Sequence, residues 1–557
     1  MDTLPSIVIT TIASHLNNEL DLFCLGLVAK RYFVIYDKLT MVPRLSTTKQ
    51  QQGDEDDAPP TRMTANPINP GSIPASVTDL TFTDTFNDTI HLDCMPPSLK
   101  RLKIGRLYNR PIPPGALPAS LLFFSMSQGF NMPIEAGALP PALTTLQLGA
   151  TFNQPLGVNV LPASLRSLSL GEEFNQPIQH DVLPPSLTSL DLSEKFNHPI
   201  VPGLLPASLM ILVFGGRFNQ TLVPGALPQS LTSVYFGSRF DQVLYPGVLP
   251  PSLIQCSFAF DHMKQLFPGS LPASLRSLTL GYSFNLTLDP GILPSSLTQL
   301  VTGFRFNAAF EPGSLPSTLA TLTLNHSFVQ RLVPGVLPSS LTSLSLAGQY
   351  NHPFDLGVLP QGLQFLELGE FNQPLQPGEL PSSLDTLLFG SEFDQALPKG
   401  VLPVRLFELR LGRYFQQTPD KVVFPSTLNT LRIMDLRRQG QYVNLLSMES
   451  FQRLIVTTII EQEYTDDGPI TLLSNARIPM LCAEMYGAQA VFDKLQRAIY
   501  SQLPNVATYN FRQYYVRRPR IHYLIRFINP GEMLIALYND MTLDNPSPIS
   551  HCQFRRL

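Results

Sequence analysis

Charge is scarce in this chain. Asp, Glu, Lys and Arg make up only 14% of its 557 residues, and the formal net charge is −4. A protein that neutralises phosphates carries a basic excess; here there is none, and no nucleic-acid partner is expected. Cysteine is equally sparse. Cys24, Cys94, Cys256, Cys482 and Cys552 are odd in number and out of register with one another, which leaves neither a disulfide framework nor a CxxC metal site. No apolar stretch approaches the roughly 18 residues of a membrane-spanning helix, and no basic segment precedes an apolar run at the start, as it would in a secretory leader. The expectation is a cytoplasmic, or nuclear, chain with no membrane partner. Catalytic signatures are missing too: there is no HExxH, no GxSxG elbow and no phosphate loop of the GxxxxGK[ST] type. The nine histidines are dispersed, and His180, His198, His326 and His352 are read as variable loop positions that share no column that could form a site. No catalytic residue, metal or cofactor is expected, and the chain is not read as an enzyme.

What is abundant is proline, 53 residues, and glycine, 34. Much of the proline belongs to one motif, Leu-Pro-x-Ser-Leu, which returns every 22 residues from Ile73 to Leu359 over thirteen consecutive intervals. The spacing shortens by one residue to Leu380 and continues at Leu402 and, degenerately, Phe424. A fixed period of this size means stacked units, none of which can bury its apolar side alone. About seventeen coils over residues 73–440 are predicted, a body on the order of 80 Å long at the ~4.8 Å spacing of neighbouring strands.

The copy from Leu161 to Val182 reads LPASLRSLSLGEEFNQPIQHDV, and Leu161, Leu165, Leu168, Leu170, Phe174 and Ile178 recur in phase through the array. The spacing L-x-x-L-x-L is that of a leucine-rich repeat, with a short strand at Leu168–Leu170 whose side chains alternate inward and outward. Gly171 permits a turn after it, and Pro162 and Pro177 punctuate an extended, non-helical return. The expected fold is therefore a β-rich, leucine-rich-repeat-like solenoid with one parallel sheet.

A Phe-Asn pair forms the second half of the signature, as at Phe152-Asn153, Phe174-Asn175 and Phe196-Asn197. The ring is expected to plug the core, and stacked, buried asparagines to satisfy backbone groups that a single coil leaves unpaired. Phe240-Asp241 and Phe393-Asp394 lose the amide donor, and His262-Met263 breaks the pattern. Leu-Pro-x-Ser-Leu followed by Phe-Asn-Gln-Pro-Ile or Phe-Asn-Gln-Pro-Leu (Phe174 to Ile178, Phe152 to Leu156, Phe371 to Leu375) resembles the FNIP repeat, named for Phe-Asn-Ile-Pro and similar to leucine-rich repeats. Most copies carry Gln, His or Met in place of Ile, so the third position is read as not decisive for the coil.

The first 45 residues differ in character. Pro5 suits a first helical turn, Asn18 or Asp21 can cap a second helix, and Leu22, Leu25, Ala29 and Phe33 follow at helical spacing. The string Leu4, Pro5, Ile12, Leu16, Leu22, Leu25, Val28 and Lys30-Arg31-Tyr32 resembles an F-box, with Ala29 where Cys is common and Tyr32 in place of the usual Trp. That resemblance implies a small helical domain, residues 1–45, that docks through these positions on a Skp1-like adaptor and so on a cullin ubiquitin ligase. It makes the protein the substrate-recognition subunit, with the solenoid holding a client of unknown identity. The alternative reading is a helical cap for the first coil, in a scaffold or binding module unrelated to ubiquitin. Residues 46–72 are polar and acid-rich, which predicts a flexible linker. Residues 441–557 lose the repeat. Ala483–Ile499 has helical periodicity, and Arg520–Phe527 and Glu532–Tyr538 flank Asn529-Pro530-Gly531 like paired strands, so a small α+β closing domain is expected.

Function is then expected on outward positions of the strands, one, two and four places beyond the motif's final Leu. Most are small and polar, but three neighbouring coils place Met210, Ile211, Val213, Tyr235 and Ile254 there, rimmed by Arg217 and Arg239. Clustered exposed apolar residues mark interaction sites, and these seven are the candidate client-binding residues. Leu122 and Phe123 beside Lys100, Arg101 and Lys103 form a second, smaller group.

Overall fold

The computed structural model describes residues 62–65, 70–434, 439–445, 453–459, 478–486, 506–515, 518–529, 532–540 and 546–556. The helical domain expected over residues 1–45, with Leu4, Pro5, Ile12, Leu16, Leu22, Leu25, Val28 and Tyr32, lies outside them. The chain divides into two compact units, one of residues 53–363 and another that contains residues 364–557. Both are built from parallel β-solenoid coils, about sixteen turns between them.

In the first unit each coil contributes one short strand. They are β1 (Arg62–Ala65), β2 (Asp79–Phe82), β3 (Arg101–Lys103), β4 (Phe123–Ser125), β5 (Thr145–Gln147), β6 (Ser167–Ser169), β7 (Ser189–Asp191), β8 (Ile211–Val213), β9 (Ser233–Phe236), β10 (Gln255–Phe258), β11 (Ser277–Thr279), β12 (Gln299–Val301), β13 (Thr321–Leu324) and β14 (Ser343–Leu346). Neighbours pair in parallel one repeat apart, so that Leu146, Leu168, Leu190 and Leu212 stand in one row. β1 lies inside the expected linker and pairs in parallel with β2.

The second unit holds β15 (Phe365–Leu368), β16 (Thr386–Phe389), β17 (Glu408–Arg410) and β18 (Thr430–Ile433), again parallel. The longer β19 (Arg453–Ile459), β20 (Ile478–Tyr486) and β21 (Val506–Tyr515) continue the parallel order. β22 (Arg518–Asn529), β23 (Glu532–Asp540) and β24 (Pro546–Arg556) are antiparallel. The two strands expected around Asn529-Pro530-Gly531 lie within β22 and β23. The expected helix is corrected at its start: Ala483–Tyr486 belong to β20, paired on both sides by β19 and β21. Two flanking strands outweigh the local helical period, since tertiary context overrides propensity. Residues 487–499 of that expected helix lie outside the described residues.

Leu161, Leu165, Leu168, Leu170, Phe174 and Ile178 are all buried, as their recurrence requires. Each contributes on the order of 1.5–3 kcal/mol relative to exposure, and only the neighbouring coils supply that burial. The strand is Ser167–Ser169, one residue earlier than expected, with Leu168 inward between two outward residues. Three turns close the coil. Leu165 donates its N–H to the Pro162 carbonyl at 3.0 Å, Phe174 to Gly171 at 3.0 Å and Val182 to Gln179 at 3.4 Å. In the next coil the third turn is Val201-Pro202-Gly203-Leu204, with Gly203 at φ +81°, the type II geometry that proline and glycine favour. Asn159 and Asp181 take the same left-handed place at φ 63° and 62°, being among the few side chains that tolerate it. Gly171 has another reason to be glycine: a Cβ there would lie 1.8 Å from the Gly149 carbonyl oxygen of the preceding coil.

Side chains lock each coil to the one before. The motif serine donates to the carbonyl of the preceding motif's final Leu, as Ser186 does to Leu165 and Ser208 to Leu187, each at 2.7 Å. The asparagine oxygen accepts the backbone N–H of the next residue in its own column, as Asn131 does from Asn153 and Asn153 from Asn175, each at 2.9 Å. This ladder was expected to be buried; it runs half-buried to exposed along the surface, because the bond is made sideways between coils and not inward. Only an acceptor is needed, so Asp241 and Asp394 serve as well, accepting from Met263 and Gln416. The third position adds a bond where it is Gln or His, although coils with Met132 or Ala308 there keep the same strand and turns. Gln176 and Gln242 donate to the preceding asparagine, and His198 and His352, which do share this column, place Nε2 2.9 Å and 2.8 Å from the carbonyls of Asn175 and Val329.

The Phe column stacks into a continuous file in the first unit. Centroids run from 5.8 Å between Phe86 and Tyr108 to 6.4 Å between Phe174 and Phe196. His262 takes the ring's place, 6.0 Å from Phe240, 6.4 Å from Phe284 and 4.2 Å from Phe258. It is almost wholly buried, and neither ring nitrogen has a hydrogen-bond partner. Burial pushes its pKa down to about 4, against a weaker opposing pull from Asp241.

Candidate binding face

The strands present two outward residues apiece, and the residue before each strand is outward too. Five of the sequence-selected residues sit here on neighbouring coils. Met210, Ile211 and Ile254 are exposed by 46%, 40% and 44%, high values for large apolar side chains, while Val213 and Tyr235 are half-buried. Val213 and Tyr235 stand directly opposite each other in β8 and β9. Met210 and Ile254 occupy one column two coils apart. Thr232 lies between them, donating its hydroxyl to the Met210 carbonyl at 3.1 Å. Arg217 and Arg239 are exposed in the turns that follow β8 and β9. The second group also assembles: the Arg101 guanidinium lies 4.4 Å from the Phe123 ring centroid and pairs with Asp79 at 3.0 Å.

Sequence reading missed the margin where the strands end. An open groove of about 640 Å³ runs there along β4–β9. Its lining contains three carboxylates, Glu172, Asp191 and Glu194, and no lysine or arginine. Glu194 accepts the Gly216 N–H at 3.0 Å and Asp191 that of Ser193 at 3.0 Å. The residue that follows the close-approach position, a glycine in four of these coils and Ser127 or Ser193 in the other two, lines the groove in successive coils: Gln128, Ala150, Glu172, Glu194, Gly216 and Ser238. In the next four coils that column turns aromatic, with Phe260, Tyr282, Phe304 and His326 stacked at 4.6, 4.8 and 4.6 Å. Phe260 is 51% exposed and Phe304 38%. The Arg305 guanidinium sits 5.8 Å from the Tyr282 ring centroid. The signal lay in the sequence, as three aromatics and a histidine at 22-residue intervals, but in a column of otherwise unlike residues.

Cys94 and Cys256 are free and buried, and burial raises both thiol pKa values, which makes them poor nucleophiles. Among the described residues no group of three or more His, Cys, Asp or Glu is placed to hold a metal ion, and no helix is long and apolar enough to cross a membrane.

A parallel sheet of three- and four-residue strands, closed by turns and locked by serine and asparagine ladders, defines a leucine-rich-repeat-like solenoid. The FNIP repeat model matches twelve times between residues 66 and 435. The chain belongs to the FNIP repeat family. The solved structure of CroV588, described as a novel circular LRR protein, is 28% identical over 80% of both chains, with a TM-score of 0.56. An internalin from Listeria monocytogenes aligns with 59% of this chain and 80% of its own at 13% identity and a TM-score of 0.28, too distant to bear on the fold. No curated protein matches the chain. A repeat solenoid of this kind is typically a binding scaffold, the architecture of a protein-interaction module.

Proposed function

We propose that the protein is the non-catalytic substrate-recognition subunit of a Skp1–cullin–F-box type ubiquitin ligase, and that its solenoid binds the client protein. The observation that carries the binding half is the apolar cluster of Met210, Ile211, Val213, Tyr235 and Ile254 on three neighbouring coils, rimmed by Arg217 and Arg239. Exposed apolar residues gathered on adjacent strands favour a macromolecular partner. Support for the ligase half is the N-terminal string from Leu4-Pro5 to Tyr32. In this reading the head recruits the ligase core, and the protein acts by bringing client and ligase together in a fixed orientation. The site of action is cytoplasmic, or nuclear.

The test is co-purification of Skp1 with the full-length chain, with a chain lacking residues 1–45 and with Leu4 and Pro5 both changed to Ala. Adaptor recovered with the full-length chain and lost from both variants supports the proposal. Adaptor absent from all three, with solenoid partners still recovered, leaves the head as a cap and the protein as a scaffold unrelated to ubiquitin.

A further inference from the structure

The groove along β4–β9 and the aromatic ridge beyond it share one column of the coil, from Gln128 to His326 across ten consecutive repeats. We propose that together they form one docking line for an extended, basic segment of a protein partner. Its cations meet Glu172, Asp191 and Glu194, and its apolar side chains lie along Phe260, Tyr282 and Phe304. The inference rests on the reading of the solenoid as a protein-binding module; the line passes beside the client cluster, taking Val213 into its lining and running next to Arg217 and Arg239, while Met210, Ile211 and Ile254 stay outside it.

Charge decides the chemistry of the occupant. The groove's lining carries three carboxylates and no base, and none of the three is in an ion pair among the described residues. Asp191 and Glu194 are held by backbone N–H groups, which fixes them while leaving acceptor capacity, since a carboxylate takes about four hydrogen bonds. Potentials of one sign steer and register a partner of the other. The ridge supplies the apolar half. Phe260 and Phe304 are large rings left substantially in water within a file that is already stacked, and such anchors dominate interface energy.

Shape decides that the occupant is a chain and not a domain. The groove takes at most four residues from each coil and the ridge a single ring, and at ~4.8 Å per strand ten coils measure about 43 Å, which an extended peptide rising ~3.3 Å per residue covers with about 13 residues.

The test pans a random peptide library of about 14 residues, long enough to span the line, on the immobilised full-length chain. Selected peptides are then measured by fluorescence anisotropy at low and high salt. The proposal expects clustered Lys or Arg beside Phe, Tyr or Leu, and binding weakened by salt. Glu172→Gln with Glu194→Gln should weaken binding about tenfold, the combined effect of losing two exposed charge pairs. Phe260→Ser with Phe304→Ser should weaken it by at least about tenfold. Both pairs are exposed, and circular dichroism verifies that the coils persist. Met210→Asp with Ile254→Asp should leave peptide affinity unchanged. Enrichment of no peptide, selection of neutral or acidic peptides, or indifference to both the carboxylate and the ridge variants would overturn the proposal. Peptides lost only with Met210→Asp and Ile254→Asp would also overturn it, while leaving the client cluster standing. Binding on the ridge without capture of any client at Met210 and Ile254 would do the opposite.

Discussion

Asn153 holds its neighbour by a single acceptor: its side-chain oxygen lies 2.9 Å from the backbone nitrogen of Asn175, one full coil away. The amide nitrogen has no part in that bond. Asn153→Asp should therefore leave stability nearly unchanged, as the natural Asp241 and Asp394 indicate, whereas Asn153→Ala should cost about 1 kcal/mol. Urea denaturation of the two variants checks this. Equal losses for Asp and Ala would show that the acceptor is not what matters.

His262 should make the protein sensitive to mild acid. The unfolded chain takes up a proton at this residue near the ordinary pKa of 6.5, and the folded chain only near 4. Stability therefore falls as pH drops through that window and levels off below it, by at most about 3 kcal/mol. His262→Phe restores the ring of its column and should raise stability at pH 7 while flattening the drop between pH 6.5 and 4.5. Urea midpoints of both proteins at these two pH values measure the difference.

Tyr350 is a milder case of the same kind. Its hydroxyl is buried without a hydrogen-bond partner, and burial pushes its pKa up to about 12. Tyr350→Phe keeps the ring and removes the stranded group, so a gain of up to about 1 kcal/mol is expected, read as a higher midpoint in the same titration.

The two kinds of glycine should respond differently. Gly171→Ala drives a Cβ into the Gly149 carbonyl and should cost about 3 kcal/mol or more, since the obstacle is backbone on both sides. Gly203→Asn meets no such obstacle, and Asn159 already occupies that left-handed turn, so a loss below about 1 kcal/mol is expected. Thermal unfolding of the two variants ranks them.

Client capture should depend on the pair that faces across β8 and β9. Val213→Asp with Tyr235→Asp places two charges on outward positions and should abolish capture, while the circular dichroism of the coils stays unchanged. Undiminished capture would remove this cluster from the function.

The coil was legible because its period leaves few choices. Leu165, Leu168 and Phe174 recur at one spacing, and no other arrangement buries them all. Less legible was whatever depends on which neighbour a side chain addresses. The asparagines looked like core amides, yet they bond along the stack, and the glutamines that follow them looked optional although they brace the same rung. Phe260, Tyr282, Phe304 and His326 escaped notice because a residue's neighbour in space is the one 22 places away, and each looked like an isolated loop aromatic in its own coil. Ala483–Tyr486 carried a helical rhythm that cannot reveal the strands waiting on either side.

The ladders also fix how such a chain can change length. A regular coil such as Leu161–Val182 offers forward the oxygen that the following coil needs and receives from behind the bond it needs itself, so its two faces are complementary copies. Excising or duplicating residues 161–182 as a block rejoins every file of leucine, phenylalanine, serine and asparagine, whereas an indel of a few residues throws all of them out of phase at once. Growth by whole modules is thus built into the hydrogen bonding, and a lineage carrying this sequence can shorten or extend its binding wall without having to invent a new core.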